Sequence, residues 1–202
     1  VALAYDPQKS TSLMYAAEHG DTQGVEQAMR SGADPSAACT TSDTPLHAAA
    51  REGHLEVVEL LCSTGARRDL ARSDGATPLL VATVYGHEDV LRFLCGMGAD
   101  TELTMQDGSS PLHVASRLGS PELVRILCNA GADVGRSTKL GATPLMMAAR
   151  RGHTKVADVL SEAGASVNGL PHSSSGPLLL AARHGHAEFV QMLLRRRADA
   201  DA

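Results

Sequence analysis

Aromatic residues are scarce in this sequence, which has no tryptophan and only 3 tyrosines and 2 phenylalanines in 202 residues. Its core must therefore be filled by aliphatic side chains and alanine, which suits short helices that pack closely. Long apolar runs are also missing, because none approaches the roughly 18 residues that a membrane-spanning helix needs. We expect no membrane insertion.

An excess of positive charge is missing as well. Aspartate and glutamate total 23 against 18 for lysine and arginine, which gives a formal net charge of -5. Nucleic-acid binding without sequence preference depends on basic residues that neutralise phosphates. We therefore expect no nucleic acid among the partners.

The cysteine content, 4 residues, is too low for a disulfide-rich scaffold. Cys62, Cys95 and Cys128 occupy one position of a repeating pattern, where small core residues are expected. Packed helices lie roughly 8–10 Å apart, farther than the about 7 Å between Cα atoms that a disulfide tolerates. Unbridged thiols indicate a reducing compartment, the cytoplasm or the nucleus. Cys39 falls in a connector and is expected to be more exposed.

The sequence instead contains one unit repeated six times. Its clearest copy, TPLHAAAREGHLEVVELLCSTGA, covers residues 44–66. Six comparable segments begin 33 residues apart, at Thr11, Thr44, Thr77, Ser110, Thr143 and Gly176. A constant period of this length is typical of a stacked array in which single units cannot bury their own apolar face.

The residue types of one unit predict its local structure. Thr44 followed by Pro45 favours a helix start, because threonine can cap free N–H groups and proline loses no hydrogen bond at the first helical position. Gly53 interrupts the chain, and Gly65 ends a second helix. Each unit is thus predicted to be a short helix, a tight turn, a longer helix and an extended connector. Two columns of the second helices should form the core: Val57, Val90, Leu123 and Val156, and Leu61, Leu94, Leu127 and Leu160.

The stretch TPLHAAAREGHLEVVELL resembles the ankyrin repeat, a 33-residue unit with the signature T-P-L-H-x-A. This resemblance implies an all-α repeat solenoid, an ankyrin-repeat stack of helix-turn-helix units joined by β-hairpin fingers. It also implies a concave partner-binding surface made of fingers and first helices, and structural hydrogen bonds for His47 and His113. After a lead-in at 1–5, the single ankyrin domain at 6–202 is predicted to contain repeats at about 6–38, 39–71, 72–104, 105–137, 138–170 and 171–202.

The two end units depart from the others. The second helix of the first unit is polar, as expected of a cap that nothing packs against. The second helix of the last unit keeps Phe189, Val190, Leu193 and Leu194, which predicts a further repeat or domain beyond it. The alternative is an exposed apolar end that dimerises. Since the chain begins at Val1, we interpret it as a fragment of a longer protein, monomeric in isolation.

Two positions just before the turn glycine of each unit are not dictated by the core and can specify a partner. In units two to six they are Arg51, Glu52, Val84, Tyr85, Arg117, Leu118, Arg150, Arg151, Arg183 and His184. They predict a protein or peptide partner whose acidic or phosphorylated groups lie over Arg150 and Arg151, with an apolar side chain against Tyr85 and Leu118. The alternative is a solvated helix face whose arginines pair with neighbouring acids.

A second set of candidate contacts lies at the tips of the fingers. Asp-Gly pairs are strong signals for tight turns. The predicted finger-tip residues are Asp43, Asp74, Asp107, Lys139 and Ser173.

Other chemistry has weak support in the sequence. His184, His186 and Glu188 could suggest a metal site, but these histidines arise from the repeat pattern and no further ligand completes a recognisable site. No P-loop, nucleophile elbow or H-E-x-x-H motif is present, so we expect no catalytic residues, no metal and no cofactor. Asn168 resembles the position of asparaginyl hydroxylation in ankyrin repeats, and the alternative is a turn asparagine with local hydrogen bonds.

The function predicted from these features is a non-enzymatic protein–protein interaction module or scaffold. The alternative is a regulatory or substrate-recruiting arm of a larger enzyme or channel. That alternative depends on what accompanies the repeats in the complete protein.

Overall fold

The computed structural model describes residues 7–39, 42–168 and 176–201, and in these ranges the chain forms twelve helices and no strand. The chain divides into two compact units, Val1–Leu103 and Thr104–Ala202. The first unit contains α1 (Pro7–Glu18), α2 (Thr22–Arg30), α3 (Pro45–Glu52), α4 (Leu55–Ser63), α5 (Pro78–Tyr85) and α6 (Glu88–Gly96). The second contains α7 (Pro111–Leu118), α8 (Pro121–Asn129), α9 (Pro144–Arg151), α10 (Thr154–Glu162), α11 (Pro177–Arg183) and α12 (Ala187–Asp201).

Within each unit the helices pair and then stack. In the first unit α1, α3 and α5 follow one another in a layer, while α2, α4 and α6 form a second layer. In the second unit α7, α9 and α11 form one layer, and α8, α10 and α12 the other. The predicted all-α repeat solenoid is confirmed by this arrangement.

Threonine and proline start the first helix of a pair as the sequence predicts. The hydroxyl of Thr77 accepts a hydrogen bond from the backbone N–H of Leu80 at 3.3 Å, and Pro78 occupies the first helical position. Thr143 caps α9 in the same way through the N–H of Met146 at 3.3 Å. These caps satisfy backbone donors that no carbonyl of the helix can reach.

The turn glycine is required for two reasons. Gly53 has φ 76°, in the left-handed region that favours glycine. A Cβ atom at Gly53 would also lie 2.5 Å from Nδ1 of His87, whose ring fills the space beside it. His87 Nε2–H donates to the carbonyl of Arg51 at 2.7 Å, so the histidine of one repeat holds the end of the preceding first helix.

The core consists of the columns that the sequence predicts. The four valine and leucine residues of the first column are at most 2% exposed, and the four leucines of the second are completely buried. Because the second helices of successive repeats pack against one another within each unit, each repeat depends on its neighbour for burial.

The connectors contain the expected tight turns. In one of them Arg72 N–H donates to the carbonyl of Ala76, and Gly75 N–H donates to that of Arg72, both at 2.9 Å. The same pair of bonds recurs at 105–109 and 138–142. In the second unit Lys139 N–H also donates to the carbonyl of Asp107 at 3.1 Å, so successive connectors touch. The β-hairpin geometry of the fingers remains a prediction.

Two helices are longer than the repeat pattern predicts. Helix α1 begins at Pro7, because Ser12 replaces the proline that begins the first helix in the other repeats. Helix α12 continues to Asp201, because Arg197 replaces the glycine that ends the second helix in other units. The predicted lead-in at 1–5 lies outside the described residues.

The second helices of the first and last repeats differ in polarity as expected. Val25 and Ala28 are the buried residues of α2, whereas its polar residues are mostly exposed. In α12, Phe189 and Leu193 are buried, while Leu194 is 51% exposed.

The cysteine column lies at the edge of the core. Cys62, Cys95 and Cys128 are unbridged and half-buried, so the prediction that they are core residues is only partly right. Burial raises the pKa of Cys95 to about 11, which keeps that thiol protonated at neutral pH.

No helix in the part of the chain described by the structure has the length and hydropathy needed to cross a membrane.

Candidate partner-binding surface

Arg51 and Glu52, the two predicted contact residues at the end of α3, belong to a charge-paired cluster. Arg51 is 24% exposed and contacts three carboxylates, with N–O distances of 3.1 Å to Glu52, 3.2 Å to Glu18 and 3.4 Å to Asp43. Arg72 contacts Asp43 from the other side at 3.3 Å. For Arg51 and Glu52, therefore, the structure favours the alternative in which a surface arginine pairs with neighbouring acids.

Helix α5 ends in two exposed apolar residues. Val84 is 38% exposed and Tyr85 56% exposed, just before Gly86. Neither side chain belongs to the core, as the sequence predicts. Their role in partner binding remains a prediction.

The second unit presents a different surface at the corresponding positions. Four arginines on α7, α9 and α11 are exposed, and we call them the arginine surface: Arg117, Arg150, Arg151 and Arg183. No carboxylate in the described parts of the chain forms an ion pair with any of these guanidinium groups. Leu118, 47% exposed, and His184 lie beside them in the sequence.

Two clefts adjoin the arginine surface. The first, of about 480 Å³, is lined by Arg117, Arg150, Arg151 and His184 together with Asp107. The second, of about 420 Å³, shares Arg150, His184 and Asp107 and adds Arg183. The structure thus brings together five of the predicted first-helix candidates with one predicted finger-tip residue.

Asp107 supplies a negative charge to both clefts. Its carboxylate accepts hydrogen bonds from the backbone N–H of Ser109 at 2.8 Å and from the Ser109 hydroxyl at 2.9 Å. These bonds lower the pKa of Asp107, with a further contribution from Arg117. Asp107 therefore stays ionised at neutral pH and limits how much negative charge a ligand can bring beside it.

Four apolar residues that the sequence did not single out line the second cleft: Leu140, Met146, Met147 and Leu180. Leu140 is 94% exposed, whereas Met146 is 7% exposed. One sequence signal points to this place, because Leu140 precedes Gly141 in a turn where two earlier connectors have Asp-Gly. The other three residues occupy ordinary repeat positions and give no signal of their own.

The sequence of this chain matches the model of a known protein family. A family model described as Ankyrin repeats (3 copies) matches residues 13–105, 97–170 and 112–202. The chain belongs to the ankyrin repeat family. No curated protein matches it. Ankyrin repeats are protein–protein interaction modules in general, and most proteins of this kind are not enzymes.

The histidines of this ankyrin domain have structural contacts. The Nε2–H groups of His54, His87, His153 and His186 donate to the carbonyls of Glu18, Arg51, Arg117 and Arg150, respectively. The rings of His184 and His186 are nearly parallel, with centroids 6.3 Å apart. The described residues contain no group of three or more histidines, cysteines or carboxylates that could hold a metal ion.

Two of the finger-tip candidates, Asp74 and Asp107, accept hydrogen bonds within their own turns. Asp74 accepts a hydrogen bond from the N–H of Ala76 at 2.9 Å and pairs with Arg72 at 2.9 Å. The Asp43 side chain is only 17% exposed because it lies between Arg51 and Arg72.

Lys139 is exposed, and Ser173 lies outside the described residues. Asn168 is also exposed, and its modification remains a prediction. Partner binding at the finger tips likewise remains a prediction.

Proposed function

We propose that this ankyrin domain binds a protein or peptide segment with acidic or phosphorylated groups on the arginine surface of residues 104–202. Three of its arginines, Arg117, Arg150 and Arg183, occupy the repeat position that Arg51 occupies earlier in the chain. Arg51 is neutralised by Glu18, Asp43 and Glu52, whereas these three form no ion pair with any residue that the structure describes. That contrast is the observation that supports the proposal.

The chemistry of arginine favours such a partner. A guanidinium group can donate two parallel hydrogen bonds to one carboxylate or phosphate, which gives both affinity and orientation. Four exposed guanidinium groups line the two clefts, where Asp107 is the one acidic residue among the described lining residues, and they create a local positive field in a chain whose formal net charge is -5. Such a local field attracts an acidic segment from solution.

The proposed role involves no catalysis by this domain. Its clefts contain arginines, two histidines and one ionised carboxylate. His184 Nδ1 is in contact with the carbonyl of Leu180 at 2.9 Å, and His113 Nε2–H donates to the carbonyl of Ala142 at 3.0 Å. The unbridged thiols support action in a reducing compartment, the cytoplasm or the nucleus.

Selection of random peptides displayed on phage against the whole chain tests this proposal. We expect the selected peptides to be enriched in aspartate and glutamate. A selected peptide should bind the Arg150→Glu, Arg151→Glu variant about tenfold or more weakly, because two favourable charges become repulsive. The affinity should also fall with added salt.

The double variant Arg125→Glu, Arg195→Glu is the matched control. Arg125 on α8 and Arg195 on α12 are exposed arginines that line neither cleft, so this variant makes the same change in net charge elsewhere. Equal loss of affinity in both variants would mean that net charge alone controls binding. Selected peptides without acidic residues would contradict the proposal directly.

A further inference from the structure

The second cleft combines apolar walls with two members of the arginine surface. Building on the proposed function, we infer that the partner segment places a large apolar side chain in this cleft, next to the acidic group that binds Arg150 or Arg183. The occupant is thus a peptide with an apolar anchor beside an acid, rather than any acidic chain.

The position of Leu140 favours an apolar partner side chain. The Leu140 side chain is 94% exposed at the tip of the 138–142 turn. That turn is closed by backbone bonds, from Thr138 N–H to the carbonyl of Ala142 and from Gly141 N–H to that of Thr138, both at 2.9 Å. The leucine side chain therefore contributes nothing to the turn. A large apolar side chain that serves no fold contact at the mouth of a cleft is typical of a binding surface.

The lining of the second cleft also suits an apolar side chain. Met147 and Leu180 are half-buried, and they line the cleft together with the exposed Leu140 and the buried Met146. A volume of about 420 Å³ falls within the roughly 300–1,000 Å³ typical of ligand pockets. Methionines adapt their shape to a partner side chain. The cleft can accept one leucine, methionine or phenylalanine side chain from a partner.

The charges of the second cleft are complementary to an acidic group beside the apolar side chain. Arg150 and Arg183 line the same cleft as the apolar residues, so an acid next to the anchor side chain would meet a guanidinium group. Asp107 lines it too, and its carboxylate remains ionised. A ligand with dense negative charge, such as a nucleic acid, would be repelled by Asp107, whereas a peptide with an isolated acidic group would not.

The phage selection described above carries the test. We expect the selected peptides to contain a leucine, methionine or phenylalanine at one constant separation from the acidic residue. Leu140→Asn should weaken the binding of such a peptide by about tenfold or more, because the exposed leucine no longer covers the anchor. Asn-Gly suits a tight turn, and circular dichroism should show an unchanged fold.

Leu179→Asn provides the matched control. Leu179 is also an exposed leucine of the second unit, at 55%, but it does not line the cleft. We expect this variant to bind the selected peptide as the parent does. Replacing the peptide's apolar residue with alanine should cost affinity in the parent and much less in Leu140→Asn.

The outcomes separate this inference from the proposed function. Acidic peptides without a conserved apolar position, or with equal affinity for Leu140→Asn, overturn the inference and leave the proposed function in place. Peptides without acidic residues overturn both. Displacement of a selected peptide by duplex DNA at physiological ionic strength also overturns the inference, since the ligand would then be a polyanion.

Discussion

His47 and His113 each make two hydrogen bonds that require an uncharged ring. Nδ1 of His47 accepts the backbone N–H of Thr44 at 3.2 Å, and its Nε2–H donates to the carbonyl of Ala76 at 3.1 Å. The corresponding distances for His113 are 3.3 and 3.0 Å. Protonation of Nδ1 would remove its acceptor, and burial lowers the pKa of both rings further than their carbonyl partners raise it.

Acidification should therefore destabilise the protein before its carboxylates titrate. Since the pKa of both histidines in the folded state is below the ordinary 6.5, the unfolded chain binds protons first as the pH falls. Their contribution to stability is complete above pH 6.5 and is lost as the pH drops toward the folded pKa values. Urea unfolding between about pH 7.5 and 5.5 should show this decrease.

The double variant His47→Gln, His113→Gln identifies the groups responsible. It should be less stable than the parent at neutral pH, but its stability should change less over the same range. Asp74 and Asp107 cannot produce the effect, because their pKa values are lowered from 3.8. An unchanged pH dependence in the double variant would assign the effect to other groups.

Gly53→Ala should lower the free energy of unfolding by more than the roughly 1–2 kcal/mol cost of a left-handed backbone. The new Cβ atom would also displace the His87 ring, which lies 2.5 Å away, and weaken the bond from that ring to Arg51. Gly96→Ala is the control, because Gly96 lies in α6 with nothing within 4 Å of a Cβ atom. Gly96→Ala should raise the free energy of unfolding by roughly 0.5–1 kcal/mol, because alanine loses less conformational freedom on folding than glycine does. Chemical unfolding of both variants checks the difference in sign.

The connector before α3 is tied to its helix by charge. Asp43 contacts both Arg72 in the next connector and Arg51 on α3, and its side chain is only 17% exposed. Its carboxylate thereby links two successive repeats of the first unit. The arginines keep other acidic partners, since Arg72 also pairs with Asp74.

Asp43→Asn should lower the free energy of unfolding by about 1 kcal/mol. The amide keeps the shape of the side chain but loses the charge that holds both arginines. Glu26→Gln breaks the exposed pair of Glu26 with Arg30, a side chain 77% exposed, and should change stability by less than about 0.5 kcal/mol. Denaturant titrations at low and high salt compare the two variants. Equal decreases in the free energy of unfolding would show that burial does not strengthen the ion pairs of Asp43.

The net negative charge of the whole chain should prevent the arginine surface from binding nucleic acid. With 23 acidic against 18 basic residues, the average field repels phosphate backbones. We expect labelled duplex DNA to show no change in fluorescence anisotropy on titration at physiological ionic strength. Any weak binding at low ionic strength should disappear as salt is added. Binding that survives physiological salt would contradict this prediction.

Most of the fold follows from residue types that act over a few neighbours. Threonine caps, prolines at first helical positions, turn glycines and apolar columns recur every 33 residues, and they placed the interior helices and the buried positions correctly. The departures are local as well: Ser12 and Arg197 lack the residue types that stop a helix, so α1 and α12 are longer. Family membership follows from the same pattern.

The candidate site was predictable only in part. The exposed positions before each turn glycine can be identified from the period, but their charges cannot be evaluated without knowing which acids lie nearby. Arg51 and Arg150 look alike in sequence, yet Arg51 is neutralised by three carboxylates, whereas Arg150 pairs with none in the described ranges of the chain. Likewise, Leu140 becomes a candidate only because packing brings Met147 and Leu180 to the same cleft.

The amino-acid pattern alone thus establishes the repeat unit, its two helices, the buried columns and the candidate positions, because each depends on hydrogen bonds and packing among close neighbours. The difference between the charge-paired cluster at Arg51 and the arginine surface, whose guanidinium groups pair with no described carboxylate, emerges only when the chain has folded. The physical reason is distance: Coulomb interactions and apolar contacts join side chains from separate repeats, and their geometry depends on how those repeats stack.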